Sequence, residues 1–167
     1  MSDRADWKQI VRERLGVFGH RNWIVVADAA YPAHSGAGIE TVRADCGLAP
    51  ALSFVLGQVD AAGHLRANVL TDLELRFVAE EDAPGITCLR NELERQLGNT
   101  ERGELLHEQI IARLDEAARL FQILIVKTSE AVPYTSVFLE LGCGYWNSRA
   151  EARLREGIEL AGRQPIA

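Results

Sequence analysis

The chain has 167 residues, 47% hydrophobic and 25% charged, with no repeat or low-complexity stretch, which fits one globular domain with a real core. Its 18 basic and 24 acidic residues leave a net charge of -6, and the basic residues do not cluster, so a nucleic-acid binder's electrostatic footprint is missing. The polar N-terminus has no apolar signal segment after it and no apolar run approaches a membrane span, while Cys46, Cys88 and Cys143 show neither Cys-x-x-Cys spacing nor a disulfide framework; the expected compartment is the cytoplasm.

Trp7, Ile10, Val11, Leu15 and Phe18 recur at helical spacing, and Gly19 supplies the stop, with His20 in the closing turn. The valine-rich run from Trp23 to Ala27 is too short for a helix and predicts a buried strand, followed at once by Asp28. A loop over 29–38 holds Pro32, His34, Gly36 and Gly38, and a short extended piece covers 40–44. Leu48, Leu52, Val55, Leu56 and Val59 mark a second helix that tolerates Pro50 in its first turn. A strand is predicted over 65–70, and 72–84 shows no decisive period. Leu89, Leu93 and Leu97 stripe a third helix ending at Gly98; Ile110, Ile111, Leu114 and Ala118 stripe a fourth that opens near His107. The most apolar strand follows over 121–126, and the last strand over 134–141. Ser148 and Glu151 stand at capping-box spacing, starting a C-terminal helix expected to carry Leu154 and Ile158 inward. Helices alternating with short apolar strands imply an α/β fold, a three-layer α/β/α sandwich around a mostly parallel sheet.

Chemistry in such folds gathers at strand ends. Asp28 directly follows five apolar strand residues, where a carboxylate must be paired or solvent-facing. His20, read alone, is explained by the helix dipole, His34 by an exposed polar loop and His64 by a turn. His107 sits at a predicted helix start, and Tyr134 follows the Pro133 that sets the entry to the last strand; Lys127 and Glu130 bracket the end of the strand before it. There is no Gly-x-Ser-x-Gly elbow, phosphate loop or dinucleotide fingerprint, Gly36-Ala37-Gly38 reads as a flexible turn, and His107-Glu108 lacks the second histidine of a zinc-protease motif, since Ile111 stands there.

With Gly19-His20 ahead of Asp28, the run Asp28-Ala29-Ala30-Tyr31-Pro32-Ala33-His34-Ser35, the segment Val42-Arg43-Ala44-Asp45, His107-Glu108-Gln109 and Glu130 before Tyr134, the chain resembles the D-ribose pyranase and L-fucose mutarotase family over about 15–145. The resemblance implies a ribose-pyranase-like fold with a mixed sheet and the interconversion of cyclic forms of a free monosaccharide. It implicates His20, Asp28, His107 and Tyr134 in catalysis, with His34, Arg43, Glu130 and Ser136 binding substrate. In that scheme His20, oriented by Asp28, and His107 transfer protons while Tyr134 polarises a sugar hydroxyl. The chemistry needs no metal or other cofactor, only groups with pKa values near the working pH.

Ser136 replaces an asparagine of many ribose-type members and offers no amide, and the helix after Ser148 extends past their usual end, making 147–167 a C-terminal helical extension of the domain spanning 1–167. The family also implies a ring-like or stacked homo-oligomer. The low charge of the last strand should keep it off an open edge, covered by another subunit, by the C-terminal helix or by both. Two other readings are a non-catalytic monosaccharide-binding regulatory or transport-associated protein, and a hydrolase built on Ser35 or Ser129 with a histidine and Asp28.

Overall fold

The computed structural model describes residues 6–98 and 100–163. In chain order the elements are α1 (Trp7–Leu15), β1 (Trp23–Ala27), β2 (Ile39–Arg43), α2 (Leu48–Ala61), β3 (Leu65–Asp72), a 3-10 turn (Leu73–Arg76), α3 (Ile86–Leu97), β4 (Arg102–Leu105), α4 (His107–Ala117), β5 (Ile123–Lys127), β6 (Val137–Cys143) and α5 (Ser148–Gly162). The six strands form one sheet in the order β2-β5-β1-β6-β3-β4. All run the same way except β6, which is antiparallel to both β1 and β3. The predicted mixed, mostly parallel sandwich is therefore the fold.

Alternation of side chains along the strands sorts the core into two layers. Ile24, Val26, Leu124, Val126 and Leu139 face α1, α2 and α3, packing on Val11, Leu52, Val55 and Leu93. Trp23, Val25, Ile125 and Phe138 face the other way and meet Ile110 and Leu114 of α4. Each large side chain in these seams stabilises the fold by roughly 1.5–3 kcal/mol. Gly38 is tied to this packing: a Cβ there would stand 2.6 Å from the Ala118 carbonyl oxygen, so the turn is a close approach to the end of α4 rather than a flexible spacer.

Several expectations change. The helix α1 ends at Leu15 with Gly16 as its cap, so Gly19 and His20 lie in a turn beyond it and the dipole explanation for His20 lapses. The strand β4, with half-buried Arg102, Gly103, Glu104 and Leu105 at the sheet edge, has no apolar run to reveal it. Two of the strands begin later than the apolar pattern suggests, at Ile123 and Val137. The last strand needs no covering subunit or helix, because β1 and β3 pair with its two sides. The cap of α5 is Asn147, whose side chain accepts from the Ala150 N–H, and Leu154 and Ile158 point outward, 46% and 55% exposed. None of the α5 residues is buried.

Candidate functional site

Because β1, β2, β3, β4 and β5 are co-directional, their C-terminal ends share one edge of the sheet, and the antiparallel β6 begins there. This edge collects Asp28 after β1, Arg43 at the end of β2, Asp72 at the end of β3, His107 just after β4, Glu130 after β5, and Tyr134 and Ser136 before β6. Sheets of this kind bind ligands at that end, where the strand order changes direction.

Asp28 is half-buried, and each of its carboxylate oxygens accepts one hydrogen bond from the chain. Its Oδ1 accepts from the Ala30 N–H at 2.9 Å, and its Oδ2 accepts from the Ser136 hydroxyl at 2.9 Å. The Asp28 N–H lies 3.1 Å from the same hydroxyl oxygen. Ser136 is 1% exposed, so its hydroxyl serves Asp28 and reaches a ligand only through that carboxylate.

His107 is the first residue of α4. Its backbone N–H donates to the Glu74 carboxylate at 3.0 and 3.1 Å, which anchors the helix start. Its Nδ1 lies 3.0 Å from Asp72 Oδ2, with the Asp72 side chain 1% exposed and that of His107 29%. Burial pushes the Asp72 carboxyl up to about 6, although His107 pulls it back by its charge and hydrogen bond; Glu74 and Asp28 add to the rise. The Tyr134 ring stands edge-on to His107 with centroids 5.9 Å apart, and Phe138 lies 6.5 Å away on the sheet. Tyr134 has a positive φ of 57°, an outlier for a bulky residue that costs of the order of 1–3 kcal/mol and is characteristic of functional segments. Tyr31 is buried behind the site, packed on Phe138, and its hydroxyl has no hydrogen-bond partner among the described residues. Burial raises its pKa, with Asp115, Asp72 and Asp28 adding to the rise.

The other candidates are more scattered. Arg43 lines a cavity of about 530 Å³ with Lys127, Thr128 and Ser129, but β5 lies between its strand and β1, a spacing of roughly 10 Å from Asp28's strand. Glu130 ties the loops together: its carbonyl accepts from the Ala29 N–H and its carboxylate from the Ala131 N–H. His34 packs on Tyr31, and its buried Nε2 has no partner among the described residues; it lies at a cleft of about 720 Å³ that Asp115 and Phe121 help line.

His20 is elsewhere. Arg21 bonds to the Leu141 carbonyl at the start of β1, so the five residues of that strand put about 16 Å between His20 and Asp28. Within one chain Asp28 does not orient His20, which is exposed and makes no hydrogen bond or ion pair among the described residues. Asp72 and Glu74 have no counterpart among the residues expected from the sequence, because the segment they begin has no clear period. Nor does Asp72 carry the signal that marked Asp28: it closes a strand that also holds Arg66, Asn68 and Thr71, so no continuous apolar run precedes it.

The edge thus offers a paired histidine, a hydrogen-bonded carboxylate and a strained tyrosine within one neighbourhood, a set suited to moving protons on a polar neutral ligand. Among the described residues no group of three His, Cys, Asp or Glu side chains is arranged to hold a metal ion, and no helix is long and apolar enough to cross a membrane.

A family model described as the RbsD / FucU transport protein family matches residues 9–144. No curated protein matches. Among solved structures, Bacillus subtilis RbsD complexed with D-ribose is 21% identical, with a TM-score of 0.58 and coverage of 85% of this chain and 98% of that one. The fucose mutarotase from Streptococcus pneumoniae in complex with L-fucose is 22% identical, with a TM-score of 0.52 over 78% of this chain and 89% of that one. FucU from Bifidobacterium longum is 20% identical, with a TM-score of 0.53 over 78% and 90%.

Proposed function

The chain belongs to the RbsD/FucU family, and we propose that it is a cofactor-free isomerase acting on the ring forms or anomers of a free monosaccharide of the ribose or fucose type. The observation that carries this reading is the convergence of Asp28, the Asp72–His107 pair and Tyr134 at one sheet edge. It fits the sugar-complexed structures among the neighbours and a cytoplasmic place in carbohydrate metabolism.

A base takes the proton of the anomeric hydroxyl while an acid protonates the ring oxygen. The bond between the anomeric carbon and the ring oxygen breaks, and a carbonyl forms. Reclosure on the other face, or through another hydroxyl, returns both protons. His107 serves as one proton-transfer group, Asp28 holds sugar hydroxyls and Tyr134 polarises one. The second group is His20, and since it sits at the opposite sheet edge, a second copy of the chain must supply it. Homo-oligomerisation is then part of the reaction, and Arg43, His34, Glu130 and, through Asp28, Ser136 shape the binding surroundings.

The same placement of His20 favours a second reading: a chain that does not assemble would bind a sugar without converting it. Saturation-transfer NMR across a panel of free pentoses and hexoses separates the two. Exchange between ring forms faster than the buffer rate is expected; binding without accelerated exchange would establish the non-catalytic module.

A further inference from the structure

Asp72 has one protein partner among the described residues. Its Oδ2 meets His107 Nδ1 at 3.0 Å, its Oδ1 is buried with none, and its side chain is 1% exposed. Anchoring the start of α4 does not require it, because the His107 backbone N–H is already held by both oxygens of Glu74. A charge is not kept in such a place without a partner, and the partner here is a ring nitrogen whose protonation decides what the other ring nitrogen can do.

We propose that Asp72 is the positioning residue of this site: it accepts from His107 Nδ1–H and so fixes the tautomer in which Nε2 carries the free lone pair. This inference rests on the mutarotase reading for its use, not for its geometry. With Nδ1–H committed to the carboxylate, Nε2 takes the proton of the anomeric hydroxyl, and the imidazolium that forms faces a negative charge. When Nε2 returns the proton to the sugar, the same tautomer is restored. The charged and titratable groups around the pair are Glu74 from the turn after β3, Asp28 from the end of β1, Tyr31 and Tyr134. Burial raises the Asp72 carboxyl to about 6, so the negative charge that faces the ring is lost as the pH falls below that value.

Nitrogen-15 NMR of the imidazole in the wild-type protein, near pH 8 and without sugar, tests the geometry directly. The Nδ1–H tautomer of His107 is expected to dominate; a dominant Nε2–H tautomer overturns the proposal. Asp72→Asn should disturb that preference and slow sugar exchange roughly 10- to 100-fold, part of the ~10²–10⁴-fold that general acid–base catalysis contributes. Asp72→Glu should restore part of both. Slower exchange with the His107 tautomer unchanged would make Asp72 merely structural and overturn the proposal, and so would unchanged exchange in a folded Asp72→Asn. If Asp72→Asn does not fold, the wild-type spectrum and Asp72→Glu decide. A wild type that exchanges no sugar defeats the mutarotase reading, and the tautomer spectrum then still decides whether Asp72 positions His107.

Discussion

The two ends of the sheet each present a histidine, and their surroundings could hardly differ more. At the C-terminal edge His107 is half-buried, paired with Asp72, flanked by Tyr134 and Phe138, and anchored through its backbone by Glu74. At the opposite edge His20 is exposed and unpaired among the described residues, beside a cavity of about 530 Å³ lined in part by Arg66, Glu140 and the start of α5. At one end the histidine is held by contacts from its own chain; at the other it is not. A residue becomes chemically useful through what holds it: a buried carboxylate holds the His107 ring, and among the described residues nothing of the kind holds His20.

His107→Ala should lower the sugar exchange rate roughly 10²–10⁴-fold while the protein stays folded. Wild-type exchange in that variant would move the chemistry away from this edge. His20→Ala should cost a similar factor, because the proposed second copy brings it to the site. Assemblies containing both single variants should then recover part of the activity that neither has alone, since some sites combine an intact His20 from one copy with an intact His107 from another. Absence of any recovery, with both variants assembling normally, would return each site to a single chain.

Asp72 holds its proton more tightly folded than unfolded, so its contribution to stability is fully present below about 3.8 and is lost as the pH rises through about 6. Glu80 is the opposite case: the N–H groups of Gly85 and Thr87 lower its carboxyl to about 2, so its contribution is present above about 4.5 and fades as the pH falls toward 2. Denaturation midpoints for Asp72→Asn and Glu80→Gln, followed against pH, should therefore shift in opposite windows. Identical pH profiles for the two variants would contradict this. Exchange activity should decline in wild type as Asp72 protonates below about 6.

Smaller still, Ser136→Ala removes the hydroxyl that Asp28 engages and should destabilise by about 1 kcal/mol in urea titration, with a larger loss of sugar affinity than of stability. Truncation before Ser148 should alter the melting temperature least, because α5 buries no residue of its own. Native protein should sediment well above the 18.4 kDa monomer, and this truncation should change assembly more than fold. A fully active monomer at working dilution would remove the need for a second copy.

How much of this was legible before folding depended on the kind of signal. The core strands β1 and β5 stood out because strands covered on both faces must be continuously apolar, and α4 stood out because a helix covered on one face must repeat its apolar residues. Hidden from such patterns was β4, whose side chains lie half-buried at the sheet edge, and so was the 3-10 turn beside it. The stripe on α5 indicated an apolar face but not what would cover it, and its expected inward packing failed for that reason. The site divided the same way. Asp28 announced itself as a charge at the end of an apolar strand, whereas Asp72 closes a strand interrupted by Arg66, Asn68 and Thr71 and leads into a segment with no clear period.

By itself the sequence determined the layers of the sandwich, the family and the residue types available for proton transfer, because periodicity and local motifs depend on neighbours along the chain. The family resemblance also implied a His20–Asp28 pair, eight positions apart along the chain. Tertiary structure decided against that pair within one chain, because an extended strand converts those few positions into the full height of the sheet. It decided instead for His107 with Asp72, distant in sequence and 3.0 Å apart in space, because parallel strands bring their C-terminal ends to one edge whatever their separation along the chain.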